Sequence, residues 1–260
     1  MKCKISIITI NYNDLEGLKK TISSIASQSY KGFEHIVIDG ASTDGSAAFL
    51  EENKALFAYH VSEPDKGVYN AMNKGIAKAR GEYLLFLNAG DHFYDTSVLE
   101  KNHQLLSKED IIYFNLQVVD KGNTFIKTYP NKLSFSYFVE DTLPHPATFI
   151  KKNAFNTVGN YKEYFKILSD WKFFIDAICK YNLSYKKIDR TLSTFYIGGM
   201  SSDPKNRNIK YTEKQSVLEQ DYPTYYQDIE DVIGYKKIVS NFKRSRIISL
   251  LVKLNLLNKF

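Results

Sequence analysis

Asn88 and Asp91 stand at a point in the chain where an amide and a carboxylate could bind a ligand. They follow the apolar run 83–87, which has the length and composition of a strand covered on both faces of a parallel sheet. In open α/β sheets, ligands bind just beyond the carboxyl ends of strands, so we expect both side chains at a ligand site. One carboxylate there suits Mg²⁺, which takes its other ligands from water and phosphate oxygens. Capping of the next helix is the structural alternative for Asp91.

Polar side chains also follow two earlier strand-like runs. Residues 3–10 are rich in β-branched side chains and lead towards Tyr12, and residues 33–38 lead into Asp39. The Asp39 carboxylate can accept hydrogen bonds from a base or a ribose, and the Tyr12 ring can stack on a base. Asp44 follows in the same loop, and the sequence leaves open whether it contacts the ligand or caps the next helix.

Asp170 is a further candidate for chemistry, as a general base. It begins a predicted helix, for which Ser169 is the expected N-cap. Spacing alone favours an acid that the helix dipole stabilises in the first turn, because a base would need position and desolvation to make it basic. His145 lies between two prolines and is expected to be an ordinary loop histidine. The predicted buried face of the helix consists of Trp171, Phe174, Ile175 and Ile178.

Alternating strand-like and helix-like segments would bring the polar strand ends together. Helices are predicted at about residues 15–26, 45–53 and 68–79, between strands that include a short one near 57–61. This order indicates right-handed βαβ crossovers and a largely parallel sheet, at one edge of which the polar residues meet. From about residue 111 the predicted elements are a hairpin of residues 111–119 and 124–129, strands at 147–151 and 184–196, and helices after about 206.

The composition is that of a soluble globular protein. With 260 residues, 43% hydrophobic and 25% charged, the chain can form one large domain or one domain with a small appendage. No apolar run is long enough to span a membrane, and the first residues lack the pattern of a signal peptide. Cys3 and Cys179 stand in apolar settings and are expected to be reduced core residues, so we expect a cytoplasmic protein.

The net charge of +6 is concentrated at the C-terminus. Residues 235–260 contain seven Lys or Arg and no acid, whereas the rest of the chain carries 28 basic and 29 acidic side chains. This distribution argues against a nucleic-acid-binding protein and for a local partner of the tail. A basic amphipathic helix there could lie on an anionic membrane surface, and a helix docked on the rest of the protein or on a second subunit is the alternative. The apolar face would consist of Ile247, Leu250, Leu251, Leu254 and Leu257.

Two adjoining blocks resemble the family-2 glycosyltransferases, most of all the bacterial branch that builds capsule, exopolysaccharide and lipopolysaccharide repeat units. Residues 65–76 read DKGVYNAMNKGI, and residues 79–91 read ARGEYLLFLNAGD. The resemblance covers about residues 4–200. Shorter matching segments are residues 6–13, 38–46, 145–149 and 168–171.

The resemblance implies a glycosyltransferase A-type fold, in which a Rossmann-like, mostly parallel central sheet is flanked by helices. Residues 1–205 would form the catalytic domain, with a nucleotide-sugar half to about residue 110 and an acceptor half from about 111. Residues 206–260 would form a basic, amphipathic helical extension. The implied reaction is inverting transfer from a nucleotide sugar, usually a UDP-sugar, to a hydroxyl of a glycan or polyprenyl-diphosphate-linked acceptor. Surface polysaccharide biosynthesis at the inner face of the cell membrane would be its setting.

The same resemblance assigns donor contacts by position. Tyr12 and Asp39 would hold the nucleobase, and Lys66 and Asn73 would lie near the ribose or the diphosphate. Candidates for contact with the acceptor or the diphosphate are His145 and Trp171.

It also assigns the metal ligand and the base. Asp91 would bind Mg²⁺ or Mn²⁺, with Asn88 in the same turn, and Asp170 matches the catalytic base. The sequence departs from the family pattern twice, because Asn88 replaces the first acid of the commoner metal motif and Ser169 stands where many relatives have Glu. That supporting carboxylate beside the base is therefore absent.

Two other classes of protein fit the sequence less well. A sugar nucleotidyltransferase needs a Gly-rich loop with Arg and Lys after the first strand, and residues 11–14 offer none. A catalytically inactive carbohydrate-binding protein would not need both Asp91 and Asp170. A dinucleotide cofactor is not indicated either, because the loop after the second strand lacks the Gly-x-Gly-x-x-Gly pattern.

Overall fold

The computed structural model describes residues 4–258, and for residue 230 the backbone only. The strands are β1 (Ile5–Asn11), β2 (Phe33–Asp39), β3 (Tyr59–Ser62), β4 (Tyr83–Phe86), β5 (His92–Phe93), β6 (Ile111–Asp120), β7 (Asn123–Lys127), β8 (Thr148–Lys151) and β9 (Tyr185–Tyr196). The helices are α1 (Leu15–Ala26), α2 (Ser46–Glu52), α3 (Val68–Lys78), α4 (Val98–Asn102), α5 (Phe135–Glu140), α6 (Ala154–Val158), α7 (Ser169–Ile175), α8 (Arg207–Asp221), α9 (Pro223–Arg244) and α10 (Arg246–Lys253).

One sheet runs through both halves of the protein. Its order is β3-β2-β1-β4-β8-β6-β9-β5, and β7 pairs with β6 as the predicted hairpin. The four strands of the first half are parallel, β8 runs antiparallel to both of its neighbours, and β9 returns parallel to β6. The prediction of a mostly parallel central sheet with flanking helices is confirmed. The two-residue strand β5 was not predicted, because so short a run carries no periodicity.

Helix α3 and the loop that follows it pack closely on β1, and two glycines permit this. A Cβ atom on Gly75 would lie 2.5 Å from the Ile8 Cγ2 atom, and one on Gly81 would lie 2.5 Å from the backbone nitrogen of Ser6. Ile8 itself is fully buried, as a strand covered on both faces requires. Gly75 therefore lets α3 lie directly on β1, and Gly81 does the same for the loop before β4.

Helix α7 is mostly buried and continues as a π-helical turn from Asp176 to Lys180. All four residues predicted for its apolar face are buried. Cys179, in the π-helical turn, is half-buried and forms no disulfide among the residues that the structure describes, and Cys3 lies outside those residues.

The C-terminal helices differ in how they pack. Val217 and Leu218 of α8 and Ile229 of α9 are buried, whereas α10 contains no buried residue. The predicted apolar helical face extended to Leu257, but α10 ends at Lys253, so that part of the prediction is wrong. Within residues 4–258, no helix is both long enough and apolar enough to cross a membrane.

Candidate active site

The carboxyl ends of β1, β2 and β4 meet as the alternation predicts. The Gly40 N–H donates to the Asn11 carbonyl at 2.9 Å, and the Ala89 N–H donates to the Ile10 carbonyl at 3.0 Å. These backbone bonds place the loop after β2 and the loop after β4 on opposite sides of the end of β1. The polar residues of three chain segments therefore share one edge of the sheet.

Asp39 is fully buried at this edge, and its carboxylate is held rigidly. It accepts hydrogen bonds from Asn11 Nδ2 at 2.7 Å, from the Ser42 hydroxyl at 2.6 Å and from the Ser42 N–H at 2.9 Å. The Ser62 hydroxyl, at the end of β3, donates to Asp39 Oδ2 at 2.5 Å, the oxygen that also accepts from the Ser42 N–H. Four donors thus fix Asp39 as the organising residue of the loop after β2.

Tyr12, Gly40 and Asp65 form a small surface next to Asp39. The Tyr12 side chain is 69% exposed, so its ring is free to stack on a flat ligand. A Cβ atom on Gly40 would lie 2.6 Å from Asp65 Oδ2 and 3.2 Å from Tyr12 Cδ2, so the absence of a side chain leaves room for that ring and carboxylate. Sequence reasoning did not single out Asp65 for a role, although it is the first residue of the 65–76 block.

Of the two alternatives for Asp44, ligand contact and helix capping, the hydrogen bonds of its carboxylate favour capping. Its Oδ2 atom accepts from the Leu15 N–H at 2.8 Å at the start of α1, and its Oδ1 atom accepts from the Ser46 N–H at 3.1 Å at the start of α2. The hydrogen bonds from Ser46 and Leu15 lower the pKa of this carboxyl group. Asp44 therefore joins the starts of two helices.

Lys66 lies just before α3 and Asn73 lies in the middle of that helix, and the two side chains have different settings. Lys66 is exposed at the rim of the site. The Asn73 amide donates to the Tyr161 carbonyl and to Glu163 Oε1, both at 2.9 Å, and accepts from the Tyr161 N–H at 3.1 Å. In this arrangement Asn73 fastens the 161–163 segment to α3, and Lys66 is the one of the two that faces solvent.

Asp91 is a buried carboxylate without a hydrogen-bond donor among residues 4–258. It is 8% exposed, and burial raises its pKa to about 8, with the charge of Lys20 opposing the rise. The Thr21 hydroxyl lies 2.6 Å from the Asp91 carbonyl oxygen and 3.1 Å from that of Asn88, which holds the turn. Gly90, at a φ of 93°, supplies the left-handed backbone that this turn needs.

The turn from Asn88 to Asp91 fits a divalent cation. The Asn88 Oδ1 atom is buried and has no hydrogen-bond partner in the described part of the chain. A buried acceptor and a buried carboxylate, both without donors, are costly unless something positive satisfies them. Residues 4–258 contain no cluster of three or more His, Cys, Asp or Glu that could hold a metal, so other ligands would come from water or phosphate.

Asp170 lies in the first turn of α7 and is half-buried. The Tyr69 hydroxyl is 2.9 Å from its Oδ1 atom and also contacts the Ile167 carbonyl. Burial, and then the charge of Asp170, raise the pKa of Tyr69 well above its usual value, so that hydroxyl stays protonated and remains a donor. A carboxylate oriented in this way and open to solvent on one side can accept a proton from a substrate hydroxyl.

The expected N-cap of α7 is not Ser169. That residue is buried inside the helix, where its hydroxyl accepts from the Lys162 N–H at 2.6 Å, and the residue before the helix is Leu168. The capping prediction is therefore wrong, because a serine one residue further along satisfies a neighbouring loop instead of its own helix.

His145 and Trp171 are buried beneath the site. The His145 ring stacks on Phe86 with 4.7 Å between centroids, and its Nε2 atom lies 2.8 Å from the Tyr161 hydroxyl. Burial lowers the pKa of His145. The Trp171 indole N–H donates to the Phe138 carbonyl at 2.8 Å, so this polar atom is used inside the protein. Their contact with an acceptor or a diphosphate stays a prediction from the resemblance.

Comparison with known proteins decides the class to which this site belongs. The sequence profile described as glycosyl transferase family 2 matches residues 6–176, which is more than half of the chain. The chain belongs to glycosyl transferase family 2. An uncharacterized glycosyltransferase of Mycobacterium tuberculosis is 36% identical over 178 residues, or 66% of this chain and 68% of that protein. The predicted family is confirmed.

Solved structures show the same fold at low sequence identity. TarS of S. aureus, residues 1–349 in complex with UDP-GlcNAc, matches with a TM-score of 0.65 and 17% identity over 87% of this chain and 70% of TarS. In another structure of TarS 1–349 the match spans 60% of that chain, with a TM-score of 0.60. A mannosyltransferase from Pyrobaculum calidifontis, in complex with GDP-Man and Mn²⁺, has a TM-score of 0.57 and 13% identity over 97% of this chain and 79% of that protein. The predicted glycosyltransferase A-type fold is confirmed.

Proposed function

We propose that this glycosyltransferase moves a sugar from a UDP-sugar to a hydroxyl of a glycan or polyprenyl-diphosphate-linked acceptor, with inversion at the anomeric carbon. The observation that carries the proposal is the Asp170 carboxylate, which is half-exposed and oriented by the Tyr69 hydroxyl at 2.9 Å. Family membership supplies the reaction class, and this carboxylate supplies the group that the reaction needs.

The reaction is a single displacement. Asp170 removes the proton from the acceptor hydroxyl, and the oxygen forms a bond to the anomeric carbon of the donor. The bond from that carbon to the diphosphate oxygen breaks with its electron pair, so the nucleoside diphosphate leaves from the opposite face. Asp170 ends the step protonated and later releases the proton to solvent. Holding the two substrates in line accounts for much of the acceleration.

The donor would lie along the edge formed by β1, β2 and α3. We assign the base to the surface beside Asp39, where the exposed Tyr12 ring can stack on it and Asp65 borders the gap at Gly40. We assign the exposed Lys66 side chain to the negative charge of the diphosphate.

A divalent cation, Mg²⁺ or Mn²⁺, would be held by Asp91, with the Asn88 amide oxygen in the same turn. When bound, it would neutralise the charge that develops on the departing diphosphate. The support is the buried Asp91 carboxylate and the buried Asn88 Oδ1 atom, neither of which has a donor among residues 4–258.

We propose residues 1–205 as the catalytic domain, with donor and acceptor halves that divide near residue 110, and residues 206–260 as the C-terminal extension. Surface polysaccharide biosynthesis at the inner face of the cell membrane is the proposed setting. In that setting the acceptor would be a growing glycan, either free or attached to a polyprenyl diphosphate.

The extension would attach the enzyme to an anionic membrane surface. α10 has no buried residue, and its apolar side chains Ile247 and Leu250 are 71% and 56% exposed. Leu254, just after the helix, is 58% exposed. Residues 235–260 contain only basic charges, which complement anionic headgroups at about 1 kcal/mol for each Lys or Arg near the surface. The docked-helix alternative fits α8 and the start of α9, where buried residues occur, better than it fits α10.

Screening UDP-sugars and GDP-sugars tests the proposed reaction. The expected result is release of UDP from at least one UDP-sugar in the presence of Mg²⁺ or Mn²⁺, with faster release when an acceptor glycan is added. Absence of release from every UDP-sugar, together with release from a GDP-sugar, would overturn the donor assignment and leave the reaction class intact.

A further inference from the structure

Glu213, on the C-terminal helix α8, binds the backbone just before the catalytic helix. Its Oε1 atom accepts from the Lys166 N–H at 2.6 Å, and its Oε2 atom accepts from the N–H groups of Ile167 at 3.2 Å and Leu168 at 3.0 Å. One half-buried carboxylate therefore satisfies three consecutive backbone donors. Hydrogen bonds to an ionised carboxylate are stronger than neutral ones, so this contact fixes the segment firmly.

The segment that Glu213 holds leads directly into Asp170. Leu168 is the last residue before α7, and Asp170 is the second residue of that helix. On its other side the segment is held by Tyr69, whose hydroxyl contacts both the Ile167 carbonyl and Asp170 Oδ1. Two side chains from distant parts of the sequence thus fix the backbone and the carboxylate of the proposed base.

A second contact fastens α8 to the same catalytic helix further along. Lys172 of α7 pairs with Asp176 and lies 3.1 Å from Asp221, the last residue of α8. The Tyr222 hydroxyl donates to Asp176 Oδ1 at 2.6 Å, and this tyrosine is buried. Side chains of α8 therefore contact both the entry to α7 and its middle.

We infer that Glu213 is a positioning residue for Asp170, so that α8 supports the base although it belongs to the C-terminal extension and lies outside residues 6–176. This inference rests on the proposed function of Asp170. Both Glu213 oxygens accept from backbone N–H groups, so its role would be exerted through Asp170 and not on a substrate.

The test compares Glu213→Gln and Glu213→Ala with Glu219→Gln, which changes an exposed glutamate on the same helix. The amide in Glu213→Gln replaces one acceptor oxygen with a donor that faces backbone N–H groups, with little change in volume. The expected result is a fall in kcat of roughly 10- to 100-fold in both Glu213 variants, the scale of a misplaced catalytic group. The KM for the donor and the affinity for UDP are expected to stay at their wild-type values, and Glu219→Gln is expected to match the wild type in every measurement.

Combining Glu213→Gln with Asp170→Asn distinguishes a failure of the positioning role of Glu213 from a failure of the proposed function. In Asp170→Asn, adding Glu213→Gln is expected to cause no further loss of kcat, because a positioning residue acts through the group that it positions. If Asp170→Asn itself keeps wild-type turnover, the proposed function fails. If Asp170→Asn abolishes transfer while both Glu213 variants keep wild-type kcat, only this inference is overturned. Loss of UDP affinity along with kcat, or an equal loss of kcat in both backgrounds, would also overturn it.

Discussion

Tyr69 and Asp170 are 101 positions apart in the chain, yet the Tyr69 hydroxyl lies 2.9 Å from Asp170 Oδ1. The tyrosine belongs to α3, which packs on β1 and β2, and the aspartate is the second residue of α7. Tyr69 is 4% exposed, so its position is set by packing. This hydrogen bond joins the proposed donor site to the proposed base.

Replacing Tyr69 with Phe removes the hydroxyl and keeps the buried ring. We expect kcat for transfer to fall roughly tenfold, because the Asp170 carboxylate loses a charge-assisted hydrogen bond that orients it. Steady-state kinetics at saturating donor measures the change. Tyr83→Phe is the control, since the hydroxyl of that buried tyrosine donates to the Glu109 carbonyl at 2.8 Å. Equal kcat values in the two variants would contradict the orienting role.

Removing the divalent cation is expected to abolish transfer. The Asp91 carboxylate and the Asn88 Oδ1 atom are the buried acceptors without donors that the cation would satisfy. Calorimetry of UDP binding with and without Mn²⁺ measures the linkage, and Asp91→Ala is expected to remove the metal-dependent part. Full activity in excess EDTA would rule out the metal requirement, and so would metal-dependent UDP binding that is unchanged in Asp91→Ala.

Ionisation of Asp91 is expected to destabilise the metal-free fold. Burial raises the pKa of this group in the folded protein from 3.8 to about 8, so the contribution of Asp91 to stability is most favourable below about pH 4 and becomes less favourable as the pH rises to about 8. Asp91→Asn cannot ionise, so it should be more stable than the wild type at pH 8 by an amount on the order of a few kcal/mol, and similar to it at pH 4. Urea unfolding in EDTA at the two pH values measures this. The same difference between the proteins at both values would count against the raised pKa.

Membrane attachment is expected to depend on the apolar side chains of the C-terminal extension. Sedimentation with phosphatidylglycerol liposomes should recover the full chain, less of it at high salt, and little of a Leu250→Glu, Leu254→Glu variant. A Tyr164→Glu, Tyr211→Glu variant adds the same charge at two other exposed positions and should sediment like the wild type. If all three proteins sediment equally with the liposomes, or if none of them does, the membrane proposal is wrong. Light scattering measures the oligomeric state of the same proteins. If the wild type is a dimer and the leucine variant is a monomer, this surface binds a second copy of the chain.

The first half of the site could be predicted because it follows from local patterns. Each apolar run ends in a polar residue, and parallel βαβ connections bring such ends to one edge whatever the details of packing. This reasoning placed Asp39 and Asn88 correctly beside β1. Local patterns could not predict that the Asn73 amide hydrogen-bonds to the 161–163 segment, because that contact depends on the second half of the chain.

The second half of the site depends on contacts over long distances in sequence. Glu213 is an ordinary helix-surface acid by its periodicity, and only tertiary packing brings it to the three N–H groups before α7. The prediction of Ser169 as the N-cap is wrong for the same reason, because its hydroxyl accepts from the Lys162 N–H of a neighbouring loop. N-cap propensity predicts poorly where a side chain can hydrogen-bond either to its own helix or to a neighbouring loop.

Turnover of the Asp170→Asn variant is the direct test of Asp170 as the general base. The substitution keeps the size of the side chain and an acceptor atom for Tyr69, and it removes the ability to take a proton from the acceptor hydroxyl. With UDP affinity and the urea midpoint checked to be those of the wild type, we expect the rate of sugar transfer to fall by at least roughly 100-fold, the usual contribution of a general base. Transfer at a rate close to that of the wild type would show that Asp170 is not the general base.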